Sequence, residues 1–173
     1  MLLLLVRGQR GQAMYLLSLD GMTVNTTSCQ FQLLDHTKTS KPGQKCKPLV
    51  INEYTPDPTL CPLSTLKVYI QKTKPLRNSE KQLFISFVQP HKAVSQDTIS
   101  RWTKDVLKLS GIDITTFTAH STRAATASKA NAKDVPLDVI LSTIGWASAQ
   151  TFSTFYNKPV AKANNMADAV LSS

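Results

Sequence analysis

Cysteine and histidine are scarce in this 173-residue chain, three of each. Cys29, Cys46 and Cys61 are odd in number and share no C-x-x-C spacing, and His36, His91 and His120 are scattered. This argues against a disulfide framework and a zinc site, and reads as three free thiols in a reducing compartment. Long hydrophobic runs are also lacking. The opening MLLLLV stops at Val6 with no basic residue ahead of it. It is too short for a signal segment and far too short to span a bilayer, so it reads as a core helix whose upstream part is missing. No internal repeat and no low-complexity segment occurs. Acidic residues are the third shortage. Eleven Asp and Glu stand against twenty Lys and Arg, a net charge of +9. That excess favours a polyanionic partner, either nucleic acid or an acidic membrane face.

The rest is ordinary for a globular protein: 42% hydrophobic and 18% charged residues, in a length that suits one domain with a real core. Leu2 to Val6 reads as a helix apolar on all sides, interrupted at Gly8. A second helix is expected from Gln12 to Leu19, ended by Asp20-Gly21. Gln30 to Leu34 and Leu49 to Tyr54 read as the strands of a long-tipped β-hairpin. Its basic loop carries Lys38, Lys41, Lys45 and Lys47 around a Pro42-Gly43 turn. Helices follow over Leu60 to Lys72 and over Gln96 to Leu109, the latter with Ile99, Trp102, Val106 and Leu109 on one face and Gly111 closing it. Thr118 can cap a helix through HSTRAATASKA, and Asp134 the next, with Pro136 in its first turn and Gly145 past its end. Ser148 can cap a short helix carrying Phe152, Phe155 and Tyr156, stopped by Pro159, and residues 160–173 form an Ala-rich tail with one more helix. The fold class is mainly α with a small antiparallel β-sheet.

Several residues could carry chemistry. His120 and Arg123 are three apart, so a helix puts them on one face near its N-terminus, where free N–H groups and the dipole favour an anion such as a phosphate. Taken alone, such a pair is more often a capping histidine and a solvated arginine. Arg10 lies between Gly8 and Gly11, which allow close approach of a backbone or ligand, though an exposed loop arginine is the plainer reading. Lys38, in the string HTKT, sits on a hairpin that can reach into a groove. Most loop lysines are simply solvated. Tyr156 and Trp146 would ordinarily be core aromatics.

Each signal is weak, but their order is informative. An arginine, a hairpin lysine, H-x-x-R, Gly-Trp, and a tyrosine ten residues after the tryptophan together resemble the tyrosine recombinases of the phage-integrase type. The likeness runs through GQR (8–10), HTKT (36–39), TAHSTRAA (118–125) and IGWASAQTFSTFY (144–156), nearly the whole chain. The wording KTSKPG, TISRWTKDVLKLSGID and FTAHSTRAA is similar to the recombinases of eukaryotic mobile elements, the DIRS-type retrotransposons and Cryptons.

The resemblance implies a recombinase catalytic domain over residues 1–173. Arg10 and Arg123 would clamp the scissile phosphate, with His120 beside it. Lys38, or its rival Lys41, would act as general acid, and Trp146 would stand where many members have histidine. Tyr156 would be the nucleophile that joins the DNA 3′ end. It further implies a double-stranded DNA partner, a homotetramer on two duplexes, no cofactor and no metal, since the arginines take the electrostatic role. The nucleus is the expected location, or the cytoplasm for a bacterial source.

The chemistry suits these residue types. At pH 7 only about a thousandth of a phenol is ionised, roughly 4 kcal/mol from its reactive form, so a base and cations must assist. An ammonium suits protonation of the departing 5′ oxygen, and guanidiniums with an indole N–H suit the charge gathering on the phosphate.

The pattern departs from the family in two places. Many members carry an acid three residues after the first arginine, where this chain has Ala13, beside Gln12. The N-terminal helical domain that usually clamps DNA is also expected to be absent. Alternatives are a decayed or domesticated relative that binds DNA without cutting, an unrelated basic α-rich interaction module, and a type IB topoisomerase, which shares the chemistry.

Overall fold

The computed structural model describes residues 1–33, 48–146 and 148–157. The basic hairpin loop with Lys38 and Lys41, Cys46, the Pro159 stop and the expected tail helix lie outside the described residues. Among the described residues seven α-helices and three strands follow in the order α1 (Leu2–Arg7), α2 (Gly11–Tyr15), β1 (Met22–Val24), β2 (Ser28–Phe31), β3 (Leu49–Asn52), α3 (Pro62–Thr73), α4 (Gln96–Leu109), α5 (Ser121–Asn131), α6 (Leu137–Ile144) and α7 (Ala149–Thr151). A π-helical turn, Phe152–Tyr156, continues α7. The class is therefore the expected one, mainly helical with a small antiparallel sheet.

The sheet runs β1-β2-β3, with β2 antiparallel to both neighbours and Phe31 opposite Leu49. Alternation along β2 buries Cys29 and Phe31 and exposes Gln30, the period-two pattern of a sheet with one face on a core. Phe31, Ile51, Leu63, Leu83, Met14 and Leu17 form the centre of a main core that joins α1 to α4 and the sheet. Full burial of one such side chain contributes about 1.5–3 kcal/mol. Ala127, Ile140, Ile144, Trp146 and Phe152 form a second, smaller core between α5, α6 and the C-terminal turn. Cys29 and Cys61 are free and buried. Among the described residues no helix is long and apolar enough to cross a membrane.

Several local expectations are corrected. The second helix stops at Tyr15 because Leu17 and Leu19 instead pair with the segment at Lys81–Leu83, through Leu83 N–H to the Leu17 carbonyl (2.7 Å) and Leu19 N–H to the Lys81 carbonyl (2.8 Å). Tertiary pairing outweighs helical spacing there. On α1 only Leu4 is buried, while Leu5 and Val6 are exposed. On α4 the buried stripe is Ile99, Thr103 and Leu107; Val106 and Leu109 face out. Thr103 hides easily because its hydroxyl donates to the Ile99 carbonyl (2.8 Å).

Thr118 does not cap α5. Its hydroxyl accepts from the His120 N–H (3.3 Å), making a turn that delays the helix to Ser121. Asp134 is no cap either. It sits in the left-handed region (φ 58°), whereas a cap residue is extended, and Pro136 takes the position before α6. Ser148 does cap α7, accepting from Thr151 N–H (3.3 Å).

Candidate active site

Four of the six singled-out residues converge from the start of α5, the end of α6 and the C-terminal turn. His120 immediately precedes α5, where the Thr118 turn aims it toward the last turn of the described chain. Its Nε2 lies 3.2 Å from the Tyr156 hydroxyl. Arg123, one turn further on, is only 2% exposed. Its guanidinium lies 4.8 Å from the Trp146 ring centroid and 5.8 Å from that of Tyr156. The Trp146 and Tyr156 rings stack at 4.2 Å between centroids, inclined by 34°.

Gly145 explains how Trp146 arrives there. Its left-handed conformation (φ 78°) ends α6 and lets the Trp146 N–H return to the Leu141 carbonyl at 2.9 Å. Arg123 completes the same corner by donating from Nη2 to the Ile144 carbonyl (3.2 Å). Its Nη1 donates to the Gly8 carbonyl (2.9 Å), 115 residues away. This one side chain therefore joins the two cores. Gln9 adds a parallel tie, from Nε2 to the Thr143 carbonyl (2.9 Å). These bonds hold the α1–α2 break, and hence Arg10, against the end of α6.

Arg10 is half-buried at the start of α2 and, with Gln9, Gln12, Gln96, Ser100 and His120, lines an open cavity of about 520 Å³. It is close enough for its charge to act on both His120 and Arg123. Burial, then Arg10, pushes the Arg123 pKa down to about 10, partly countered by Tyr156, so the guanidinium stays charged at neutral pH. His120 is pushed below the ordinary imidazole value by partial burial, then by Arg123 and Arg10. The shift favours the neutral ring, the form able to accept a proton.

Two buried donors here, Trp146 Nε1 and Arg123 Nε, have no hydrogen-bond partner. Buried N–H groups are rarely left unpaired, and these two, with Arg10 nearby, suit an anionic ligand. Lys38 and Lys41 lie outside the described residues. Ala13, at the position where many family members carry an acid, is buried in the main core. Sequence reasoning missed Gln9 and Ser128. Ser128 donates from Oγ to the Tyr156 carbonyl (2.7 Å), and nothing in a run of small residues singles it out.

A small antiparallel sheet packed on helices, with this tyrosine gathered to a histidine and a buried arginine, is the tyrosine recombinase catalytic fold. The chain belongs to the phage integrase family, which matches residues 1–162. No curated protein sequence is significantly similar to it.

Solved structures with the same fold include the XerH site-specific recombinase bound to difH substrate in a pre-cleavage complex (19% identity, TM-score 0.65, 91% of this chain and 42% of that one). XerA recombinase is similar as well (17% identity, TM-score 0.65, 88% of this chain and 50% of that one). So is a lambda integrase dimer bound to a COC′ core site (17% identity, TM-score 0.58, 95% of this chain and 54% of that one). The chain thus spans roughly half the length of these relatives.

Proposed function

We propose that this chain is the strand-transfer domain of a recombinase, cutting and rejoining double-stranded DNA through a 3′-phosphotyrosine. The observation that carries the reading is the contact between the Tyr156 hydroxyl and His120 Nε2, beside the buried Arg123. In this scheme His120 takes the phenol proton as Tyr156 attacks phosphorus, and the 5′ oxygen leaves with a proton from Lys38 or Lys41. Arg10, Arg123 and the Trp146 indole N–H hold the non-bridging oxygens as charge accumulates there. Loss of one such donor typically costs about 10²–10³ in rate. The phosphotyrosine ester conserves the bond energy, so rejoining is the same displacement run backwards and needs no nucleotide.

The net charge of +9 supports a DNA partner. Recombination of two duplexes takes four copies, and a homotetramer on DNA is part of the proposal. So are an origin in a eukaryotic mobile element and action in the nucleus, which rest on the wording around the motif residues. One observation favours a second reading, a relative that binds DNA without cutting: Ala13 replaces the acid found in many members.

The test is covalent capture. The protein is incubated with a library of nicked duplexes of randomised core, and adducts that survive denaturant are isolated. An adduct whose peptide map places DNA on Tyr156 is expected. DNA binding without any adduct supports the second reading. Affinity should also fall steeply with salt as phosphate contacts release counterions, and a flat response would refute DNA binding through phosphates.

A further inference from the structure

One helix grips Tyr156 at three heights. His120, just ahead of α5, meets the phenol oxygen, Arg123 lies near the ring, and Ser128 holds the backbone carbonyl at 2.7 Å. The first two contacts belong to the reaction proposed above. The third does not, because it lies at the opposite end of the tyrosine from the reacting atom.

Tyr156 is the last residue of a five-residue π-helical turn, a rare conformation that frequently marks functional sites. The Asn157 N–H closes that turn on the Phe152 carbonyl (2.8 Å). The carbonyls at a helix end have no partner within the helix, and the one on Tyr156 is met from α5. Ser128 itself is buried at 4% exposure and sits on an eleven-residue helix, so the donor is anchored in rigid structure.

We infer that Ser128 is a positioning residue for the nucleophile. It fixes the peptide plane at Tyr156, and with it the direction in which the side chain leaves the backbone. The phenol then meets His120 and a phosphorus atom at a set distance, while the turn that carries it is only a few residues long. This role rests on reading Tyr156 as the nucleophile. It requires a hydroxyl at position 128, not merely a small side chain.

The experiment compares wild type with Ser128→Ala, Ser128→Thr and Ser128→Cys in the full chain. Three quantities are read: the single-turnover rate of adduct formation on nicked duplexes captured by wild type, the affinity for the same duplexes, and nitration of Tyr156 without DNA. The expected result for Ser128→Ala is a rate about ten- to a hundredfold lower at unchanged affinity, with faster nitration. That is the scale of an ångström-level misplacement of a reacting group. Ser128→Thr, which keeps the hydroxyl, should recover most of the rate.

Equal losses in the Ala and Thr variants would overturn the inference, as would wild-type rate and nitration in Ser128→Ala. Should the Ala protein fail to fold, Cys against Thr decides, since Cys keeps the size but donates weakly. If wild type forms no adduct, the strand-transfer reading fails, and nitration alone still decides whether Ser128 holds the tyrosine.

Discussion

The Tyr156 hydroxyl and His120 Nε2 stand 3.2 Å apart although 36 residues separate them in the chain. The contact spans the seam between α5 and the π-helical turn, so the tyrosine is held at the site before any ligand arrives. Replacing Tyr156 by Phe removes the hydroxyl and keeps the stack on Trp146. The expected outcome is complete loss of the DNA adduct at unchanged affinity for duplex DNA, with stability lowered by no more than about 0.5–1.5 kcal/mol for one hydrogen bond. A denaturant-resistant adduct in the Phe protein would remove Tyr156 from the mechanism.

His120 gives the proposed reaction an expected pH signature. Partial burial and the charges of Arg123 and Arg10 lower its pKa, so the folded state disfavours the imidazolium. Cleavage by a neutral His120 should hold level from pH 7 down to about 6.5 and fall with unit slope below the lowered pKa. His120→Gln should abolish that acid limb along with most of the rate. Stability follows the same sign. Below pH 6.5 the unfolded chain binds a proton that the folded chain resists, so the His120 contribution falls as pH drops from 6.5 and levels off below the folded value. Urea titrations of wild type and His120→Gln across this window should diverge in that direction. Parallel curves would show that His120 is not held in the neutral form.

Arg123 has a structural task and, in the proposed reaction, a chemical one, and lysine can do neither fully. Its two bonds to the Gly8 and Ile144 carbonyls need a planar fork reaching both sides of a corner. In Arg123→Lys at least one buried carbonyl loses its donor, at a cost of about 1–3 kcal/mol. Adduct formation should fall about 10²–10³-fold, as for the loss of an oxyanion donor. Chemical denaturation and single-turnover cleavage check the two halves separately. A stable but inactive protein would assign the arginine to chemistry alone.

Much of this arrangement was legible in the sequence, and the reasons differ by residue. His120 and Arg123 were readable as a pair from their three-residue spacing, although His120 stands in the turn just ahead of α5 and not on the helix with Arg123. Gly145 was readable because a helix end often needs a left-handed residue, and Trp146 follows from it. Strands β2 and β3 showed their alternation, whereas β1 is only three residues long and leaves too little pattern to detect. The end of α2 was misjudged because its cause is a partner segment around Gln82, more than sixty residues downstream. The ties from Gln9 and Ser128 were invisible for the same reason: each is defined by a backbone carbonyl that any residue could supply.

Gly8 is the point where a minimal change should disturb the site. It is left-handed (φ 53°), and a Cβ there would lie 2.9 Å from the Ile144 side chain. The left-handed conformation alone costs a residue with a Cβ roughly 1–2 kcal/mol. The crowding would also push apart the two segments that Arg123 and Gln9 tie together. Gly8→Ala should therefore lower the thermal midpoint and slow adduct formation, with duplex affinity less affected. Wild-type cleavage in a measurably destabilised Ala protein would show that the Arg10 segment tolerates displacement.

The general acid of the proposed reaction can be assigned with a substrate whose leaving group needs no proton. Expulsion of the 5′ oxygen as an alkoxide is difficult, because its conjugate acid is far weaker than any group in the site. A thiol, with a pKa near 8.5, leaves readily as thiolate and needs no proton. A duplex whose scissile 5′ oxygen is replaced by sulfur therefore bypasses the acid and leaves every other step in place. On the oxygen substrate, loss of the true acid should slow cleavage by about 10²–10⁴-fold. On the sulfur substrate the same variant should cleave at nearly the wild-type rate. We expect this pattern for Lys38→Ala and not for Lys41→Ala. The reverse pattern would transfer the role to Lys41. Slow cleavage of both substrates by both variants would mean that these lysines bind DNA rather than deliver the proton.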